Sequence, residues 1–486
     1  MITPSCNQIE QLAGDYSMIP ICREIYADVI TPIMLLRKLS QSSKSFFLLE
    51  SIEGGEKWGR YSFLGYNPIV SITCRNGDIR IRQEGKETVR TGKPLEAIRE
   101  LLKDYKAPKL PGMPPFTGGL VGYFSYGMIR YTEPVLKLED SDFNDMELLL
   151  FDKVIAYDHL KQKISIIVNM KTDKVMENYG LALASIENIL HIITEPMKTE
   201  ALDDNCQPEF TCNTTKEEYM AMVERAKEYI VNGDIFQAVI SRRFETEYHN
   251  SLLGAYRVLR TTNPSPYMVF FQSMELQLIS TSPETLVRLK DGKLTTFPIA
   301  GSRPRGEDRE EDEALGRELI NDEKELSEHN MLVDLARNDL GKISEFNSVR
   351  VTDYMSIKRY SKIMHITSEV EAYIRQDMDA PDAIEAILPA GTLSGAPKIR
   401  ACEIIEELEK APRGIYGGAI GYIDFSGNMD TCIAIRMAVR KNNRVYIQAG
   451  SGIVADSNPE KEYEESGNKA YAVLEAIKNA GEVEEL

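Results

Sequence analysis

The chain has 486 residues, 43% of them hydrophobic and 27% charged, an ordinary globular balance with room for about two to four domains. Lys and Arg number 57 against 75 Asp and Glu, a net charge of −18 that repels nucleic-acid phosphates and anionic lipid, so no nucleic-acid and no membrane partner is expected. No apolar run reaches the ~18 residues of a membrane span, the start lacks the features of a secretory leader, and seven cysteines without a Cys-x-x-Cys read as reduced thiols of a cytoplasmic protein.

In chain order, Thr31-Pro32 reads as an N-cap with proline at N1, opening an amphipathic helix through Leu39. Strand-like runs follow at 45–49, 61–64, 69–73 and 79–83, then a helix over 94–103 and a Gly- and Pro-rich loop over 108–122. Strands at 148–157 and 163–169 precede a helix over 173–192. The polar segment 195–215 has no hydrophobic period, and a linker is placed at 201–215 between an N-terminal domain, 1–200, and a second domain, 216–486. That second unit reads as a helix over 216–232, strands at 235–244 and 267–279, and a long charged helical segment from Asp308. It closes with a hairpin (418–424 with 431–440), a strand at 444–448 and a last helix over 459–479.

Two Glu-x-x-Glu units stand out. Glu325 and Glu328 share a helical stripe with Leu332 and Leu335; Glu462 and Glu465 share one with Lys469, Ala472 and Ala476. Paired glutamates usually form a solvated face, but here they extend apolar stripes and are expected to point inward, where carboxylates must be paired or metal-bound. An all-oxygen donor set suits Mg²⁺. The loop Ala390-Gly-Thr-Leu-Ser-Gly-Ala-Pro-Lys398 precedes a helix, with Ser394 or Gly395 as N-cap and Pro397 at N1; it reads equally as an anion site or an ordinary capped start. Gly450-Ser451-Gly452 follows a strand, but the Asp456-to-Pro459 segment delays the helix a pyrophosphate would need, so dinucleotide binding is rejected. His365 and Arg436 each interrupt an apolar run suited to a buried strand, and an inward Arg needs an anion, either a substrate carboxylate or a structural glutamate.

Together these residues resemble the chorismate-utilising enzymes. The resemblance runs through Gly233 to Arg242, Ser282-Pro-Glu284, Pro298 to Gly306, Asp334 to Gly341, Ala390 to Lys398 and Gly450 to Asp456. Gln237 and Ala300 stand where the water-activating lysine of isochorismate synthases and the attacking lysine of aminodeoxychorismate synthases are found, which points to the ammonia-using branch, the component I subunits of anthranilate synthases. Ser302 replaces that block's usual Thr and keeps its hydroxyl.

The resemblance implies an α+β fold of two orthogonally packed antiparallel sheets flanked by helices, with an N-terminal regulatory domain. It implies Mg²⁺ on Glu328 and Glu465 with Glu325 and Glu462 around it, and chorismate held by Thr392, Tyr416, Arg436, Lys469 and the Gly450, Ser451 and Gly452 strand. Glu284 is implied as general acid and His365 as assistant in the aromatising step, with Gln237 beside the nucleophile. Ammonia is the nucleophile, supplied from glutamine by a separate amidotransferase subunit (component II), because no cysteine here sits in an amidotransferase elbow. Leu48-Leu-Glu50-Ser51 and Pro266-Tyr267-Met268 resemble the segments that sense L-tryptophan, implying feedback inhibition. The alternatives are component I of aminodeoxychorismate synthase and a non-catalytic relative that binds tryptophan or metal.

Overall fold

The computed structural model describes residues 2–51, 59–196, 208–360 and 363–482. Two antiparallel sheets, one of 13 strands and one of 12, pack face to face with helices on their outer faces, the α+β arrangement expected. Phe47, Phe116, Phe151, Phe271 and Ile420 fill the space between the sheets. Leu35, Ile186, Leu259 and Val473 seat four helices on the first sheet, and Ile98, Val333 and Ile384 seat three on the second.

Both ends of the sequence enter both sheets. In the first, Phe46–Glu50 pairs with Tyr267–Gln272; in the second, Gly119–Phe124 pairs with Ala419–Asp424. Of the expected linker, 201–207 lies outside the described residues; beyond it, Thr211–Cys212 pairs with Phe244 and Glu245, and Thr215 forms a capping box with Glu218 that starts the helix Lys216–Val231. The helix after Thr31 forms as read: the Thr31 hydroxyl accepts from the Met34 N–H at 3.2 Å, and Leu35, Leu36 and Leu39 are buried.

Several expected elements are divided. The apolar run 148–157 is two strands, Met146–Phe151 in the second sheet and Lys153–Asp158 in the first, changing sheets at Asp152. The run 431–440 does the same, as Met429–Ile433 and Met437–Lys441. Residues 267–279 fold into a hairpin, Tyr267–Gln272 with Leu276–Ser282, whose turn is held by Ser273 Oγ accepting from the Glu275 and Leu276 N–H groups. The charged segment from Asp308 breaks into Arg309–Leu319 and Glu323–Gly341, because Asp322 caps the second helix through the Lys324 and Glu325 N–H groups. The end of the 108–122 loop is already a strand, Gly119–Phe124. The Ala390–Lys398 loop is corrected too. Gly395–Ala396 pairs with Gln237–Ala238 and the Val239 N–H donates to the Ser394 carbonyl at 2.9 Å, so the chain stays extended and the N-cap is Pro397, not Ser394 or Gly395.

Candidate active site

The site forms where the chain changes sheets. Ser282-Pro283-Glu284 joins Leu276–Ser282 in the first sheet to Thr285–Lys290 in the second, and Ala434 to Arg436 make the adjacent crossing, with Arg436 at φ +50°. The crossings are bonded to each other: the Ile433 N–H donates to the Glu284 carbonyl at 3.0 Å, Ser282 Oγ to the Ile433 carbonyl at 2.7 Å, and the Thr281 N–H to the Arg436 carbonyl at 3.0 Å. A strand crossing frees its side chains from the two-residue alternation, which lets Glu284 and Arg436 face one cleft.

Burial pushes the Glu284 carboxyl above the ordinary carboxylate range, against the opposing pull of the Thr392 hydroxyl, Lys469 and Arg436. Thr392 Oγ1 donates to Glu284 Oε2 at 3.0 Å, and a narrow cavity of ≈50 Å³ reaches this pair past Leu335 and Ala336. Arg436 is pushed the other way, its guanidinium disfavoured by burial despite Tyr416, Glu284 and Glu465 nearby; one of its nitrogens donates to the Lys469 carbonyl at 2.7 Å. A carboxyl with a raised pKa beside a desolvated cation suits an anionic substrate with a leaving group.

On the opposite wall, buried Gln237 opens its strand and its Nε2 lies 3.5 Å from Glu328 Oε1. Gly452 leaves room for this amide, since a Cβ there would overlap Gln237 Nε2 and displace it. Burial, and then Glu325, raise the Glu328 carboxyl. The inward stripe is only partly as expected. Glu462 is buried and shares its helix face with Ser466, Ala470, Val473 and Ile477, but Glu465 is half-exposed and pairs with Lys469 Nζ at 2.6 Å. Glu325 lies 3.6 Å from Arg303. Among the described residues no three His, Cys, Asp or Glu side chains converge at metal-binding distance. The donor chemistry still fits a hard cation, because the buried Glu328 carboxyl is raised and is offset only in part by the Gln237 amide at 3.5 Å and by the charges of Lys324 and Lys469.

His365 donates Nδ1–H to the Gly301 carbonyl at 2.8 Å, which leaves Nε2 as the nitrogen available for proton transfer; burial lowers the pKa of the ring. Gly301 adopts φ +62° at a bulge opposite this histidine. Tyr416 is buried, with its phenol raised by desolvation. Gly450, Ser451 and Gly452 pair with Ser241, Ile240 and Val239. The Ser451 hydroxyl is turned away to Tyr219 Oη at 2.9 Å, so only the backbone of that stretch is offered to the cleft.

The effector residues gather elsewhere, around a cavity of ≈580 Å³ lined by Glu50, Ser51, Pro266, Tyr267 and Met268 together with Met113 and Tyr422. The Glu50 carboxylate is committed to structure: Arg260 Nε at 2.9 Å, Tyr256 Oη at 2.9 Å and Ser62 Oγ at 3.0 Å all donate to it. Glu50→Ala is expected to destabilise the fold by about 3 kcal/mol, read by urea denaturation, since it strands Arg260. Tyr267 ties this cavity toward the acid, its hydroxyl standing 2.9 Å from Thr285 Oγ1 and donating to Asp430 Oδ1 at 2.8 Å.

Sequence reasoning missed three supports: Arg303 beside Glu325, the buried Arg413, and Lys398, whose Nζ donates to Asp339 Oδ2 at 2.7 Å and the Ile387 carbonyl at 2.8 Å and so ties the Thr392 loop to the Glu328 helix.

With this geometry in hand, the class follows from the sequence as a whole: a family model described as chorismate binding enzyme matches residues 44–475. The chain belongs to this family and is an enzyme acting on chorismate. It is 46% identical over 496 residues to anthranilate synthase component 1 of Acetivibrio thermocellus, covering 99% of this chain and 100% of that one. It is 44% identical over 488 residues to the component 1 of Aquifex aeolicus, covering 99% of each. The crystal structure of anthranilate synthase component I from Streptococcus pneumoniae matches with a TM-score of 0.78 at 38% identity, over 93% of this chain and 99% of that one. The menaquinone-specific isochorismate synthase of Escherichia coli shares the fold, with a TM-score of 0.70 at 19% identity over 97% and 98%.

Proposed function

We propose that the chain is the component I subunit of an anthranilate synthase, converting chorismate and ammonia to anthranilate and pyruvate at the start of tryptophan biosynthesis in the cytoplasm. The observation that carries the reading is the neutral Gln237 amide beside Glu328, with Ala300 buried in the Ile299–Pro304 strand of the second sheet: neither position offers a lysine to activate water or to attack the ring. Ammonia, a better nucleophile than water, needs no such base.

Glu328 and Glu465, with Glu325 and Glu462 around them, would hold Mg²⁺, which supplies positive charge for the ring carboxylate of chorismate. Arg436, Tyr416 and the Gly450–Gly452 backbone hold the enolpyruvyl carboxylate, with Lys469 adding charge nearby. Thr392 orients Glu284. Ammonia forms a bond to ring C2 as Glu284 protonates the C4 hydroxyl, which leaves as water. His365 Nε2 then assists removal of the C2 proton while the enolpyruvyl C–O bond breaks, releasing pyruvate and the aromatic ring. A separate glutamine amidotransferase subunit is the physiological source of ammonia.

Residues 1–200 form the tryptophan-sensing part and 216–486 the chorismate-binding part. L-Tryptophan occupies the ≈580 Å³ cavity and inhibits; Ser51→Phe, which fills it, is expected to raise the inhibitory tryptophan concentration at least tenfold with little change in uninhibited kcat, and unchanged inhibition removes this assignment. The whole reading is tested by incubating the chain with chorismate, ammonium and Mg²⁺. Anthranilate and pyruvate, lost on chelation, are expected; the para-amino product or isochorismate instead would overturn it.

A further inference from the structure

Arg413 and Glu409 form a bidentate ion pair, Nε to Oε2 at 2.9 Å and Nη2 to Oε1 at 2.6 Å, with side chains only 2% and 5% exposed. Neither reaches the cleft, yet each has further bonds to the elements that build it. The same guanidinium donates to the Leu393 carbonyl, next to Thr392, and to the Val239 carbonyl, two residues from Gln237. Its Cζ stands 4.8 Å from the Tyr126 ring centroid and 5.8 Å from that of Tyr416. Glu409 Oε1 accepts from the Ser241 N–H at 2.7 Å and its hydroxyl at 2.8 Å, anchoring the strand that carries Gln237.

A fully buried ion pair is a poor stabiliser beside an apolar pair of equal volume, because desolvation consumes most of the attraction. What it supplies is direction: the guanidinium fixes its N–H vectors in one plane, and here they reach three chain segments, at Glu409, Leu393 and Val239. We propose that the Arg413–Glu409 pair is a positioning device for catalysis, locking the Thr392 loop, the Gln237 strand and the Tyr416 ring in mutual register, so that Thr392 meets Glu284 and Gln237 meets Glu328. The inference rests on the proposed reading in that it takes Glu284 as the acid.

The test is the apolar double variant Arg413→Met/Glu409→Leu, with Arg413→Lys as a milder partner and Thr392→Val as reference. Far-UV circular dichroism and thermal melting are expected to match wild type for the double variant. Its kcat is expected to fall by about 100-fold, the cost of misplacement by roughly 1 Å, with KM for chorismate within about threefold. The basic limb of its kcat–pH profile is expected to move to higher pH in the same direction as that of Thr392→Val, because the hydroxyl that holds down the Glu284 pKa is displaced. A purely structural pair would leave that limb in place, so a double variant with wild-type kcat and pH profile overturns the proposal. If the double variant does not fold, Arg413→Lys carries the same comparison. A wild-type chain that makes no anthranilate would overturn the functional reading instead, and is recorded in the same assay.

Discussion

Glu284→Gln is expected to lower kcat by on the order of 10²–10⁴-fold, the usual contribution of a placed general acid, while leaving chorismate binding nearly intact. The carboxamide keeps the shape and the bond from Thr392 but has no proton to give the departing hydroxyl. The wild-type pH profile follows from the direction of the shift. Burial, the largest effect, raises the Glu284 pKa, so the protonated form persists above the ordinary carboxylate range and activity is lost as pH rises through the raised value. Thr392→Val removes one of the groups that hold that pKa down and moves this limb to higher pH. Stability runs the same way: a carboxyl raised on folding contributes most below its unfolded pKa, and that contribution is lost as pH rises through the folded one. Glu284→Gln is therefore expected to be no less stable than wild type at neutral pH while being almost inactive. Turnover within tenfold of wild type would remove Glu284 from the role.

The pattern of what was legible follows from where the chain is regular. Single elements bounded by strong local signals were readable, as at Thr31-Pro32 and Asn458-Pro459, where the Asn458 side chain caps the last helix through the Glu460 and Lys461 N–H groups. Boundaries inside continuous apolar runs were not. The runs around Asp152 and Arg436 look like single strands because the apolar residues on either side of the charged ones are compatible with burial in either sheet. A one-dimensional alternation carries no sign of a switch from one sheet to the other.

The candidate site shows the same division. His365, Arg436 and the glutamate pairs were found because charge in an apolar context is conspicuous, and Glu284 through the Ser282-Pro-Glu284 resemblance; Thr392 meets Glu284, and Gln237 meets Glu328. Their surroundings were hidden. Nothing in the spacing of Glu462 and Glu465 says that one is buried and the other paired at the rim with Lys469. Nor does the Glu50-Ser51 motif say that the carboxylate serves Arg260 and Tyr256 while the neighbouring residues line the cavity. Such partners lie up to 210 positions away in sequence, and only the fold brings them together.

Arg436→Gln is expected to weaken chorismate binding by about 10–100-fold, corresponding to the ~1.5–3 kcal/mol of a hydrogen bond to a charged group. Most of the loss falls in KM, because the carboxylate is present in both ground and transition states. Burial disfavours the Arg436 charge, and the protein offsets it only through charges at a distance and one bond to the Lys469 carbonyl. A bound carboxylate completes that environment, so the binding energy is drawn from a cation already desolvated and aimed. The left-handed backbone at φ +50° is part of the aim, since the Arg436 carbonyl is held there by the Thr281 N–H at 3.0 Å. Arg436→Lys keeps a charge but loses the planar fork, and is expected to fall between wild type and Gln. Direct titration with chorismate under non-turnover conditions, without ammonium, reads the effect apart from chemistry. Equal affinity in all three proteins would place the enolpyruvyl carboxylate on another cation, with Lys469 the nearest candidate.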